Sequence, residues 1–311
     1  MLARSLGCAL SAVLAAASLA GCATTAASSV TPFAAAGTQY TQAVETLLAT
    51  STDLLVDANS RKLLQGLSLA PGTAEMLEEQ DEAMRANLTE VRLLRRQLDL
   101  LGEYFQSLSA LATSDVPKAF GDELARTAAA LDGVSTSLRQ TPLFRNAAAG
   151  EALVGEVGGL IVEGVRGHEL RRELERRKAT ITEVLSIQER LLDALRAQVL
   201  SDVEIDRQRD YDTEVVAPFE TEGALSSDPQ RQAWVDARRK LLTDPILVQE
   251  LDAAAASARA LRAAWAKVLA NRLTPADVEA VVAQLSPIVA NVAALRAASS
   301  PPAAPDNPGG N

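Results

Sequence analysis

MRANLTEVRLLRRQLDLLGEYFQSLSAL, Met84 to Leu111, is the stretch that decides the fold. Its apolar residues Met84, Leu88, Val91, Leu94, Leu98, Leu101, Phe105, Leu108 and Leu111 follow one another every three or four positions. That spacing puts them on one face of a helix and repeats like the seam of a coiled coil. Glu78, Glu79, Arg85, Arg92, Arg95, Arg96 and Asp99 fall largely off the seam. The pattern predicts a helix from Thr73 to about Ala112, preceded by the turn-forming Pro71-Gly72 and stopped by TSDVP at 113–117.

The same rhythm continues on both sides. A helix is expected from about Thr38 to Gln65, with Tyr40, Val44, Leu47 and Leu48 among its apolar face and Gly66 near its stop. Another is expected from Lys118 to Arg139, ended by TPLF. Residues 169–210 carry Leu170, Leu174, Ile181, Val184, Leu185, Leu191, Leu192, Leu195 and Val199 as a stripe through a charge-dense sequence. Residues 211–228, around Pro218 and Gly223, read as an acidic connector. Asp228-Pro229, Asp244-Pro245 and Thr274-Pro275 each set a capping residue before a proline, which predicts three more helix starts. Asp277 stands where the acid of a capping box belongs, and Pro287 should kink the last helix.

Composition agrees. Aromatic residues make up 3% of the 311, while alanine and leucine, strong helix formers, abound. The expected fold class is all-α: an elongated multi-helix bundle with coiled-coil-like long helices, spanning residues 38–298. Residues 299–311, rich in proline and glycine, read as a disordered tail.

The N-terminus carries a different signal. Arg4 is followed by an apolar run from Leu6 to Leu19, the length of a secretory leader core and short for a permanent membrane span. It ends in Leu19-Ala20-Gly21-Cys22. This quartet resembles the lipobox of bacterial lipoproteins. The resemblance covers the first 22 residues only. It implies a signal peptide over 1–21, cleavage between Gly21 and Cys22, and lipidation of Cys22 by a diacylglyceryl thioether with further acylation (palmitate). Two or three chains hold a protein stably on a membrane, since each buried methylene contributes about 0.8 kcal/mol. Ala23, in place of aspartate, implies sorting to the outer membrane of a two-membrane cell, facing the periplasm. Residues 22–37, small and uncharged, read as a flexible tether.

Several activities are disfavoured by what the chain contains. Net charge is −10, and loss of Arg4 with the leader makes the mature chain more acidic. Nucleic acid is therefore not an expected partner, and attachment to anionic lipid should come from acyl chains rather than charge. With Cys8 lost and Cys22 acylated, the domain has no thiol for a disulfide or metal. The single histidine, His168, opens HELRRE, which nearly begins the zincin pattern, but Arg172 stands where a second histidine would have to be. Asp206, Asp210, Asp212 and Glu214 lack the glycine and spacing of a calcium loop. No phosphate-cradling glycine motif occurs. The expectation is no catalytic residue, no metal, no cofactor and no small-molecule substrate.

One segment stands apart. Residues 149–167, AGEALVGEVGGLIVEGVRG, hold six glycines, with Gly155 and Gly159 spaced for close helix approach. Glu151, Glu156, Glu163 and Arg166 argue against a transmembrane span. A tightly packed central helix, a conformationally labile, membrane-insertable or self-associating segment, and a flexible hinge are all consistent with it. The expected function is a lipid-anchored, non-enzymatic binding or scaffold protein of the cell envelope, with a protein partner or self-association. The alternative is a membrane-active or self-associating protein that uses segment 150–167.

Overall fold

The computed structural model describes residues 27–67, 73–113, 118–148, 168–242 and 246–299. Every regular element among them is helical: α1 Ala27–Leu67, α2 Ala74–Thr113, α3 Lys118–Arg139, α4 Pro142–Ala148, α5 His168–Asp210, α6 Ala217–Glu220, α7 Asp228–Leu242, α8 Ile246–Leu269 and α9 Pro275–Ser299. A π-helical stretch, Tyr211–Val216, joins α5 to α6. The fold is an all-α bundle. The leader, Cys22, the glycine-rich segment 149–167, Asp244 and residues 300–311 lie outside the described residues.

Antiparallel packing follows from the contacts. Along α1 and α2, Gly37 meets Phe105, Thr41 meets Gly102, and Glu45 pairs with Arg95, so one helix climbs as the other descends. Gln97 bonds Ser135, and Glu90 accepts from the Leu143 amide, so α3 and α4 run back along α2. Thr182 with Trp265, Glu189 with Arg262, Asp193 with Arg259, and Arg196 with Asp252 set α8 antiparallel to α5. Lys267 with Asp277 and Glu250 with Asn291 do the same for α8 and α9. The core lies among α1, α2, α5 and α8. α3 packs along α2 and α5, and α9 packs along α1 and α8.

The seam of α2 is buried as its spacing predicts. Val91, Leu94, Leu98, Leu101, Phe105, Leu108 and Leu111 all belong to the core. An aromatic junction crosses three helices: Phe33 of α1 meets the Phe105 ring edge-on (5.5 Å, 88°) and stacks on Trp265 of α8 (5.7 Å, 27°). Each such side chain removed from water contributes roughly 1.5–3 kcal/mol.

The tether expected over 22–37 is corrected. α1 begins at Ala27, and Val30, Phe33, Ala34 and Ala36 are buried. The apolar positions Val30, Phe33, Gly37, Tyr40, Val44, Leu47 and Leu48 form one continuous seam, and Pro32, Ala35, Gln39 and Gln42 face solvent. Pro32 lies inside α1 as its sixth residue, where it has no N–H to give the Ser28 carbonyl, a cost that the helix carries. Burying the aromatic ring outweighs the weak helix signal of a run of small residues.

The connector expected over 211–228 is also shorter than its sequence suggests. Helical backbone continues to Glu220, first as the π-helix and then as α6. Pro218 supplies the cause. Its ring would collide with the carbonyl of Glu214 in α geometry, and it has no N–H to donate. The turn widens instead, and the Ala217 N–H reaches the carbonyl of Asp212, five residues back. The cap of α7 is corrected by one residue. Ser227 rather than Asp228 caps it: the Ser227 hydroxyl accepts from the Gln230 N–H (3.4 Å) while Gln230 accepts from the Ser227 N–H (3.0 Å). At α9, Thr274 donates its N–H (2.9 Å) and its hydroxyl (2.7 Å) to the Asp277 carboxylate, as expected.

Candidate functional site

Polar groups inside the bundle are tied to packing. The Tyr40 hydroxyl donates to Gln188 Oε1 (2.7 Å) in a fully buried pair. Burial, with Glu189 nearby, pushes the Tyr40 phenol well above the ordinary tyrosine range. Glu250 accepts from Asn291 (2.6 Å), and Gln97 donates to Ser135 (2.8 Å). Burial raises the carboxyls of Glu90, Glu173 and Glu189; Arg145, Arg177 and Arg262, respectively, pull them partly back. These groups are spread over six helices, α1, α2, α3, α5, α8 and α9.

The sequence-level suspects are placed as follows. His168 is the first residue of α5. Glu169, its neighbour, pairs with Arg172 (3.6 Å), the residue at the position a second zinc-binding histidine would need. Asp210, Asp212 and Glu214 are carried on helical backbone, and Asp212 accepts from Gln208 (3.1 Å). Among the described residues no group of three His, Cys, Asp or Glu is placed to hold a metal.

Three surface features remain. The first is an open groove of about 570 Å³ between α1 and α9, lined by Ala43, Val282, Leu285 and Val289 with Gln39 and Gln42. The second is an aromatic corner at the end of α5. Phe219, 70% exposed, stacks on Trp234 of α7 (5.8 Å), and Arg238 lies over the indole (5.9 Å). The Trp234 indole N–H donates to the carbonyl of Val215 (2.9 Å). The π-helix leaves that carbonyl open to a side chain, and α7 docks through it. No signal in the sequence short of Pro218 itself announces this corner.

The third is the end of the α1–α2 hairpin. Residues 73–83 are exposed without interruption. Thr73 caps the helix, its hydroxyl accepting from the Met76 N–H (3.2 Å). Met76, Leu77 and, on α1, Val56 and Leu64 are exposed apolar side chains. Among the described residues no helix is long and apolar enough to cross a membrane. No protein-family model matches the chain, and neither a curated protein nor a solved structure matches it.

Proposed function

We propose that this chain is a lipid-anchored, non-enzymatic binding or scaffold protein of the cell envelope, held on the outer membrane by acyl chains on Cys22 and facing the periplasm. One observation carries the proposal. Only residues 23–26 separate Cys22 from α1, and α1 is built into the centre of the bundle through Phe33, Tyr40 and Leu47. Fat attached at Cys22 would therefore hold the whole bundle within about 15 Å of the lipid, at roughly 3.5 Å per extended residue. The body would be presented by a rigid helix rather than a long tether. Its exposed helical faces are the means of binding.

Labelled palmitate fed to producing cells should enter the full-length protein and not Cys22→Ala, and the wild type should fractionate with membranes. Absence of label from the wild type overturns the anchor. Leakage of dye from liposomes caused by unlipidated protein overturns the scaffold in favour of a membrane-active segment 150–167.

A further inference from the structure

The chain between α4 and α5 has to come back along the bundle. α3 runs against α2 and α2 against α1, so α3 runs with α1. Trp265 of α8 meets Phe33, while Val282, Leu285 and Val289 of α9 lie by Ala43 and Thr46, farther along α1. With α8 antiparallel to both α9 and α5, α5 and α9 run with α1 as well. α3 and α5 are therefore parallel, and Arg139 pairs with Glu183 (2.5 Å) where they meet. Ala148 stands nine residues past Arg139, and His168 stands fifteen before Glu183. Their levels along the bundle differ by about 24 residues of helix, or about 36 Å. Residues 149–167 would span about 28 Å as a helix, and the turns at its two ends supply the rest.

The sequence of this stretch is that of an amphipathic helix. A turn of about 100° per residue puts Leu153, Val154, Val157, Leu160, Ile161 and Val165 on one side. Glu151, Glu156, Glu163 and Arg166 share the other side with Gly155 and Gly159. Six glycines weaken such a helix in isolation, so it needs a surface to form on. A surface lies on its path. α4 packs on α5, and the outer groove between α3 and α5 continues from there towards His168. Beside the Arg139–Glu183 pair that groove is edged by Ala129, Asp132 and Thr136 of α3 and by Arg172, Arg176 and Ala179 of α5, all exposed. Its small residues admit a bulky stripe at close range, and arginine stems lie along apolar surface while their heads stay in water. With the stripe turned inward and the chain descending, Glu156 and Glu163 fall on the flank towards α5. Glu163 then comes level with Arg172 and Arg176. We propose that residues 149–167 form a helix antiparallel to α3 and α5, docked in their outer groove through Leu153, Val157, Leu160 and Ile161. Both ends of the segment are tied to this side of the bundle, so the groove is within reach; a lipid surface or a second copy would have to draw the stripe away. The proposal does not depend on the acyl anchor. A stripe held in this way is not spare for a membrane, and the α3–α5 face is not open to a partner.

Amide exchange on the full mature chain carrying Cys22→Ser reads the docking directly. Amides of residues 153–165 should exchange at least about tenfold more slowly than in an unfolded chain, and equally at every protein concentration. Val157→Asp with Leu160→Asp should abolish that protection and leave α1 and α2 protected. Glu163→Arg should reduce it, and Arg176→Glu added to Glu163→Arg should restore it. Gly155→Ala with Gly159→Ala, on the outward side, should increase it. Without the leader the Cys22→Ser chain has no cysteine, so disulfide trapping gives a second reading. Val157→Cys should bond within one molecule to Ala179→Cys and not to Ala197→Cys, an exposed position farther along α5. Unprotected amides, equal trapping at residues 179 and 197, or protection that falls on replacing Gly155 and Gly159 overturns the docked helix. Protection or trapping that appears only as protein concentration rises overturns it in favour of a second copy. Protection that appears only with liposomes present overturns it in favour of a membrane. Failure of palmitate labelling would remove the anchor proposed above and leave all of these readings unchanged.

Discussion

At Gly37 α1 lies against the Phe105 ring of α2, and replacing it with alanine tests the packing directly. A Cβ there would lie 2.5, 2.6 and 2.8 Å from Cδ2, Cε2 and Cγ of Phe105. The obstacle is a ring, not the tip of a flexible chain. That ring is fully buried and edge-packed on Phe33. Forcing a methyl into a filled core costs about 1–3 kcal/mol. Alanine recovers about 1 kcal/mol through its better helix propensity. The net expectation for Gly37→Ala is a loss of about 0–2 kcal/mol. Gly133→Ala is the control. It lies inside α3, and nothing stands within 4 Å of its Cβ. It should gain about 0.5–1 kcal/mol. With a urea slope of about 2 kcal/mol/M, the two midpoints should differ by about 1 M, read by circular dichroism at neutral pH. Phe105→Leu should relieve the clash, so the double variant with Gly37→Ala should lose less than the two single losses added together. A Gly37→Ala protein as stable as Gly133→Ala would refute the close approach of α1 to α2.

The buried Tyr40–Gln188 pair gives a second test. Tyr40→Phe leaves Gln188 without its partner and should cost about 1–3 kcal/mol, whereas Tyr40→Phe combined with Gln188→Leu should recover most of it; equal loss in both variants counts against the pair. Stability should also depend on pH. Glu90, Glu173 and Glu189 have native carboxyls raised above the ordinary 4.5, so the folded state binds the extra protons. Their contribution is complete below about pH 4.5 and is lost as pH rises through the native values. Urea midpoints should therefore rise between pH 7 and pH 5, and the rise should shrink when Glu90 and Glu173 become glutamine; an unchanged slope in that variant contradicts the assignment. Finally, Trp234→Phe removes the indole donor to Val215 and should speed amide exchange in α7 while leaving α8 unaffected. Equal exchange in α7 before and after would show that the Val215 carbonyl does not hold it.

The bundle was legible where the apolar spacing is dense and its interruptions strong. The bounds of α3, Lys118–Arg139, match expectation because Pro117 precedes and Thr141-Pro142 follows. The start of α1 was not legible. Ala27 to Ala36 hold no charge to mark a polar face, and Pro32 mimics a break, although Val30, Phe33 and Gly37 already carry the seam into Tyr40. The Ser227–Gln230 box was hidden behind the more conspicuous Asp228-Pro229. Pro218 signals a break over 211–228, whereas the widened turn continues the helix to Glu220, and Trp234, distant in sequence, donates to the Val215 carbonyl there. Surface sites were the least legible. The exposure of Leu77 and Phe219 depends on where neighbouring helices end, and no local pattern records that.

α1, the earliest part of the bundle to be synthesised, has α8 and α9, the latest, as two of its neighbours. Val30, Phe33, Tyr40 and Leu47 consequently lack their full cover until the carboxyl-terminal quarter of the chain has emerged, which delays commitment to the native state. A polypeptide wired in this way cannot close its first helix until nearly all of the chain is available.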